Sequence, residues 1–242
     1  MPIMQIQLNN TGKRFNKEWI FRNCNYTFNA GVSYAITGLN GSGKSTLLQT
    51  IAGAINASEG SITVNHIPLT EEGSLLTVNG KRSTVNDSVN GKRSTVNPSV
   101  DNALLYQHLS IAAPYLELVE EMTAKEALKF HAAFKPLLEN ISIEEILTIV
   151  GLKAAADKQI RYYSSGMKQR MKLAQAIFSD VPILLLDEPC TNLDAVGYAL
   201  YHQLIKDYCT NKLVIVCSND PQEYDFCMER IDIMAYKPVS KL

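Results

Sequence analysis

The nine residues Gly38-Leu-Asn40-Gly41-Ser42-Gly43-Lys44-Ser45-Thr46 fit the spacing G-x-x-x-x-G-K-[ST]. Glycines at those positions let the backbone curl until its N–H groups face a common point, an arrangement that suits phosphate oxygens. A helix starting at the loop's end would add its positive dipole end. Lys44 has the reach to contact β and γ phosphates, and the Ser45 hydroxyl can coordinate Mg²⁺. This chemistry needs a strand before the loop and a helix after it. Val32–Thr37 reads as a buried strand, and Lys44 to Ala54 has helix spacing that stops near Gly53. The segment therefore predicts binding of a magnesium nucleoside triphosphate, ATP.

Two further segments carry groups that suit such a ligand. Ile183-Leu-Leu-Leu186-Asp187-Glu188-Pro189 is an apolar strand ending in two carboxylates. At the C-terminal edge of a parallel sheet these stand where ligands bind in open α/β folds. Asp187 would hold Mg²⁺, directly or through water, and Glu188 would orient and deprotonate an attacking water. Ser164-Ser165-Gly166-Met167-Lys168-Gln169-Arg170 begins a helix with small residues and free amides, which fits a phosphate. Taken alone, that last segment reads more readily as a plain capped helix with a basic face.

The elements that must position these groups can be read along the chain. Gln5–Leu8 and Cys24–Phe28 alternate like strands, and Ser61–Val64 and Leu109–Ala112 also look like strands. Thr123-Ala-Lys-Glu126 and Ser142-Ile-Glu-Glu145 both fit a capping box at a helix start. After the strand Val181–Leu186 come a helix from about Asp194 and a strand Leu213–Cys217. A short helix near Gln222–Met228 and a strand Ile231–Tyr236 close the chain. Apolar strands alternating with helices indicate a mostly parallel sheet covered on both faces. The fold class is α/β, with a helical insert and an antiparallel β part on the N-terminal side. Between two of the strands, the units Val78–Ser88 and Val89–Ser99 are tandem copies differing at one of 11 positions, Asp87 against Pro98. Two copies are too few for a solenoid, and their Asn-Gly, Ser and Pro content favours turns. Residues 71–102 are accordingly expected to be an inserted surface loop, or a mobile hairpin, without catalytic parts.

The order of the three chemical segments, followed by Thr191-Asn192-Leu193-Asp194, resembles the ATP-binding cassette (ABC) ATPases. The resemblance covers nearly the whole chain apart from the repeat insertion. It implies a P-loop NTPase fold in a single domain, 1–242. Within it, 1–70 and 179–242 would form the nucleotide-binding core, 71–102 the repeat insertion and 115–178 a helical signature subdomain. Tyr163-Ser164-Ser165-Gly166-Met167 is similar to the family's signature Leu-Ser-Gly-Gly-Gln. The resemblance implies that it caps the γ-phosphate of ATP held by an opposite subunit, in a head-to-tail dimer. Thr191–Asp194 corresponds to the loop linking the two sites. Phe15 matches the aromatic that stacks on adenine, with Trp19 and Phe21 as alternatives. Two places depart from the family pattern. The stretch Ala112-Ala113-Pro114-Tyr115 lacks the usual glutamine, and Asn219, in Val216-Cys217-Ser218-Asn219-Asp220, stands where a γ-phosphate-contacting histidine is usual.

Composition bounds the partners. The formal net charge of -1 offers no field for nucleic acid or anionic lipid. Residues 1–10 lack the basic stretch and long apolar run of a secretion signal. The run Val181–Leu186 is far short of the roughly 20 residues that span a bilayer. The five cysteines form no Cys-x-x-Cys pair and are odd in number, which argues for thiols in a reducing compartment. With the resemblance, the expectation is a cytoplasmic ATPase subunit held to the inner face of a membrane through a permease encoded as a separate chain. Tyr115–Met122 is the segment where the family docks that partner. An alternative is a cassette that uses ATP-driven dimerisation as a switch without moving a solute. A DNA-repair or chromosome-type cassette is disfavoured, because the chain lacks long coiled-coil or DNA-clamping segments.

Overall fold

Stretches of buried aliphatic residues define the strands, and hydrophobic burial against helices decides which faces they present. The computed structural model describes residues 4–65, 76–78 and 102–238. Its contacts divide the chain into two compact units.

One unit comprises the described residues of Met1–Asn29, Gly41–Tyr106 and Ile233–Leu242. It holds an antiparallel sheet of β1 (Gln5–Phe15), β2 (Glu18–Asn29), β4 (Glu59–Asn65) and β5 (Leu76–Val78), in the order β2-β1-β4-β5. β1 and β2 are a hairpin closed at Phe15↔Glu18. Along β1 the side chains of Ile6 and Leu8 are buried while Gln5, Gln7 and Asn9 are half-buried, the period-2 pattern of a one-sided sheet. α1 (Lys44–Ile51) belongs to this unit and buries Leu47, Leu48 and Ile51. β5 falls within the range 71–102 expected to be an insertion, and its backbone pairs with β4 at Ile62↔Val78. The remaining positions of the two tandem copies lie outside the described residues.

The other unit comprises Ala30–Asn40 and Gln107–Asp232. Its sheet is parallel throughout: β3 (Ser33–Thr37), β6 (Leu109–Ala112), β7 (Ile183–Asp187), β8 (Leu213–Cys217) and β9 (Glu229–Asp232), in the order β6-β7-β8-β3-β9. Every residue of β7 and β8 is buried, which is why both read as uninterrupted apolar runs. The core they share is completed by α3 (Ala124–Ala132), α4 (Ile143–Ile149), α5 (Ser165–Ile177) and α6 (Ala195–Tyr208). α2 (Asn102–His108) leads into β6 and had no counterpart among the expected elements. Both capping boxes form. The Thr123 hydroxyl accepts from the Glu126 amide while the Glu126 carboxylate accepts from the Thr123 amide at 2.8 Å, and Ser142 and Glu145 repeat the exchange. Each such cap contributes about 1 kcal/mol. Asp194 caps α6 by accepting from the Gly197 amide at 2.8 Å.

The chain end departs from the sequence expectation. The expected helix near Gln222–Met228 is a single 3-10 turn, Pro221–Glu223, and the expected strand Ile231–Tyr236 is displaced to Glu229–Asp232. β9 is an edge strand that pairs with β3 only from Tyr34↔Glu229 to Thr37↔Asp232. Where β3 gives way to the glycine loop the partner is lost, and Ile233–Tyr236 coil into a 3-10 turn instead. Among the described residues, no helix is long and apolar enough to cross a membrane.

Candidate active site

The phosphate loop's sequence is matched by its backbone. Gly38, Gly41 and Gly43 have φ of 142°, 72° and 102°, values that disfavour any side chain. Gly43 is also the N-cap of α1, and a Cβ there would lie 2.3 Å from Cγ2 of Ile20. Gly41 faces open space, so its requirement is conformational alone. Lys44 is buried (5 % exposed) in the first turn of α1, and that turn contains no acidic residue. The Ser42 hydroxyl is buried with no hydrogen-bond partner among the described residues, a polar atom that a ligand oxygen would satisfy. Ser45 and Thr46 are half-buried at the start of α1. In the same unit Phe15 is exposed at the end of β1, with the Lys13 ammonium 4.8 Å from its ring centroid. Trp19 instead carries the Arg22 guanidinium at 4.5 Å, and Phe21 is fully buried. Of the three aromatics weighed for a stacking role, Phe15 is exposed, Trp19 half-buried and Phe21 buried.

The parallel sheet brings a second group of residues together at its C-terminal edge. β3 ends at Thr37, ahead of Gly38 and Asn40; β7 ends at Asp187; β8 ends at Cys217, ahead of Ser218 and Asn219. These three strands are neighbours in the order β7-β8-β3. Asp187 is 2 % exposed, and Glu188 is half-buried. The Glu188 amide donates to the Cys217 carbonyl at 2.9 Å, which carries the β7–β8 pairing one residue past Asp187. Asn219 donates from Nδ2 to Oδ1 of Asn40. The residue standing where the family usually has histidine is thus hydrogen-bonded to the phosphate loop's own asparagine.

The signature segment is a capped helix start. The Ser164 hydroxyl accepts from the Met167 amide, Ser164 and Ser165 are exposed, and Gly166 and Met167 are half-buried. A Cβ on Gly166 would lie 3.1 Å from the Asn192 carbonyl. The signature therefore packs closely on the Thr191–Asp194 loop of the same unit. Sequence reasoning missed the side chains that make this packing. Gln169 donates from Nε2 to the Pro189 carbonyl at 2.7 Å while buried, and Arg170 pairs with Asp194 at 3.8 Å. The signal available in advance was their position one turn into α5, on the face that Gly166 begins.

Where the family's glutamine is missing, lysines of α5 hold the chain. Lys172 donates to the carbonyls of Ala113 and Pro114 at 3.3 and 3.0 Å, and Lys168 pairs with Glu120. Burial lowers the Lys172 pKa, and nearby Glu117 partly restores it. A cleft of about 440 Å³ lies here, lined by Pro114, Leu116, Glu117, Ser165, Lys168 and Asn192 among others. Tyr115, Leu116 and Val119 are exposed apolar residues of the same segment.

Glu223 was not anticipated either. It is 3 % exposed, and its carboxylate accepts from the Cys190 amide at 2.7 Å. Burial raises its pKa above the usual carboxylate range; Ser218 and the Cys190 amide oppose the rise, and Asp220 and Glu188 add to it.

The donor chemistry suits a hard divalent cation. A serine hydroxyl and a carboxylate are oxygen donors, and Mg²⁺ characteristically takes one or two protein oxygens beside substrate phosphates rather than a closed cage. No group of three or more His, Cys, Asp or Glu side chains is placed to hold a metal among the described residues.

Comparison with known proteins agrees with this geometry. Residues 21–191 match the family described as ABC transporter. The chain is 29% identical over 219 residues to the uncharacterized ABC transporter ATP-binding protein YybJ of Bacillus subtilis, covering 90% of this chain and 87% of that one. It is 26% identical over 222 residues to the cytochrome c biogenesis ATP-binding export protein CcmA of Agrobacterium fabrum, covering 90% of each. Its fold superposes on a bacterial ABC transporter cassette solved as a dimer, with a TM-score of 0.70, 22% identity and 94% of each chain covered.

Proposed function

Because the chain belongs to the ABC transporter family as an ATP-binding, ATP-hydrolysing cassette, we propose that it powers a membrane transporter through Mg²⁺-dependent, ATP-driven dimerisation. In this reading Lys44 and the amides of Gly41, Ser42 and Gly43 take the β and γ phosphates, with Gly38, Asn40 and Thr46 shaping the loop. Phe15 stacks on adenine. Ser45 and Asp187 hold Mg²⁺, which when bound neutralises phosphate charge and orients the γ-phosphoryl group. Glu188 accepts a proton from the attacking water, and Asn219 donates a hydrogen bond toward the γ-phosphate. Ser164, Ser165, Gly166 and Met167 of a second copy close over that phosphate with their helix-start amides. The dimer docks on a separate permease through the segment around Tyr115–Met122, which puts the chain on the cytoplasmic face of a membrane.

The observation that carries this reading is the arrangement at one sheet edge. Asp187 and Glu188, Asn219, and Gly38 with Asn40 follow three adjacent parallel strands, and Asn219 is bonded to Asn40. Catalysis by positioning asks for groups fixed before the substrate arrives, and here the ladder and the Asn219–Asn40 bond supply that. The dimerisation-switch reading draws on two features, the Ala112–Tyr115 segment without glutamine and Asn219 in the usual histidine's place, because slow hydrolysis prolongs a switch.

The test is Glu188→Gln. The change keeps shape and removes the base, so the purified chain should bind ATP and Mg²⁺, form a dimer by analytical ultracentrifugation, and hydrolyse at least about a hundredfold more slowly. A variant that stays monomeric at high protein and ATP concentration, or hydrolyses at the parent's rate, would refute the mechanism.

A further inference from the structure

Glu188 has φ of +43°, in the left-handed region. A glutamate has no intrinsic reason to stay there, and such a conformation persists only when its surroundings over-determine it. Four hydrogen bonds do so. The Glu188 amide donates to the Cys217 carbonyl at 2.9 Å and the Thr191 amide donates to the Glu188 carbonyl at 3.1 Å. Gln169 Nε2 donates to the Pro189 carbonyl at 2.7 Å, and the Cys190 amide donates to Glu223 Oε1 at 2.7 Å. The last is the charge-assisted one, and such bonds are about twice as strong as neutral ones.

Glu223 does more than hold Cys190. Glu223 itself belongs to the turn that follows Asn219: its amide donates to the Asp220 carbonyl at 3.0 Å. The Ser218 hydroxyl accepts from the Asp220 amide at 2.9 Å. The Glu223 peptide is anchored by the Tyr201 hydroxyl, which donates to the Glu223 carbonyl at 2.8 Å. A carboxylate offers two acceptor oxygens and no donor, so it suits an N–H group brought from another loop. A buried carboxylate is costly, and a fold needing only packing here would be served by an apolar residue.

We propose that Glu223 is a positioning residue for ATP hydrolysis: by accepting from Cys190 while its own backbone is closed on Asp220, it locks the strained Glu188 loop to the Asn219 loop. The two loops then face the substrate as one body, and the distance between base and γ-phosphate partner stays fixed. The proposal rests on Glu188 being the base.

Glu223→Ala and Glu223→Gln in the full chain test it by three measurements. These are single-turnover hydrolysis with Mg²⁺ and ATP, equilibrium ATP affinity, and hydrogen exchange at the Cys190 amide without nucleotide. Glu223→Ala should slow single turnover by about 30- to 100-fold, the scale of a misplaced reacting group. ATP affinity should stay within about threefold, and Cys190 exchange should accelerate at least about tenfold. Glu223→Gln retains an acceptor oxygen for Cys190 and should recover at least about tenfold of the lost rate. Should Glu223→Ala not fold, Glu223→Asp, one methylene short of Cys190, is judged on the same readouts. Faster Cys190 exchange with an undiminished hydrolysis rate overturns the proposal, as does an equal rate loss in the alanine and glutamine variants. Failure of the underlying reading looks different: Glu188→Gln would then hydrolyse like the parent, whatever the Glu223 variants do.

Discussion

Gly43→Ala would place a methyl group where the backbone and a neighbour both resist it. At φ of 102° an L-residue is strained, and the left-handed side of the map costs alanine at least about 1–2 kcal/mol. The new Cβ would lie 2.3 Å from Cγ2 of Ile20 and 3.7 Å from Cδ1 of Ile233. Cγ2 sits on the β-carbon of a β-branched residue whose χ1 is stiff, so it cannot swing aside as a side-chain tip would. Overpacking of this kind costs about 1–3 kcal/mol. The sum, about 2–5 kcal/mol, should appear in urea unfolding of the nucleotide-free chain, and ATP affinity should fall as the loop distorts. The double variant with Ile20→Ala separates the two terms, since it removes the clash and leaves the dihedral strain. A favourable coupling of about 1–2 kcal/mol is expected between the two sites. A Gly43→Ala chain within about 0.5 kcal/mol of the parent with unaltered ATP affinity would refute the argument. Absence of coupling would show that Ile20 yields freely, and that strain alone carries the cost.

Lys135 is 4 % exposed, and burial lowers its pKa to about 8. Its unfolded value is near 10.5, so between these pH values the unfolded chain binds more protons and stability rises with pH. Lys135→Met should remove that rise, read from unfolding curves between about pH 7 and 10; an unchanged pH slope would contradict it. Asn219→His should speed single-turnover hydrolysis by about 30- to 150-fold if it restores a transition-state contact of about 2–3 kcal/mol. An unchanged or lower rate would mean that the Asn219–Asn40 bond already solves γ-phosphate positioning.

What was legible in the sequence was legible because it is local. The glycine loop states its own dihedral needs, the capping boxes at Thr123 and Ser142 place donor and acceptor three residues apart, and the apolar runs of β7 and β8 announce burial on both faces. Asp187 and Glu188 could be read because a strand end is itself a position in the fold. Glu223 could not, since its partner Cys190 reaches it through tertiary folding and its neighbours Gln222 and Tyr224 give no hint of a buried acceptor. The chain end was misplaced for a related reason. Ile231–Tyr236 has the composition of a strand, but an edge strand lasts only as long as its partner, and β3 stops at Thr37. The strand Leu76–Val78 was hidden by the turn-rich repeat that follows it, which pulled the whole stretch toward a loop.

The order β6-β7-β8-β3-β9 has a consequence for how the molecule is made. β3 leaves the ribosome long before either of its neighbours: Ser33 pairs with Val214 and Tyr34 with Glu229. Roughly 180 residues separate the paired positions, so at about 5–20 residues per second β3 waits on the order of 10–35 s for a partner. During that interval Tyr34, Ala35 and Ile36, all fully buried in the finished protein, form an apolar strand with two open edges, the kind of segment that recruits strands from other chains. The hairpin of β1 and β2 has no such delay, because each strand meets the other as soon as it is synthesised. A nascent chain stalled before residue 213 would therefore present a finished hairpin beside an orphaned central strand, and chaperone capture in that window should concentrate on residues 33–37.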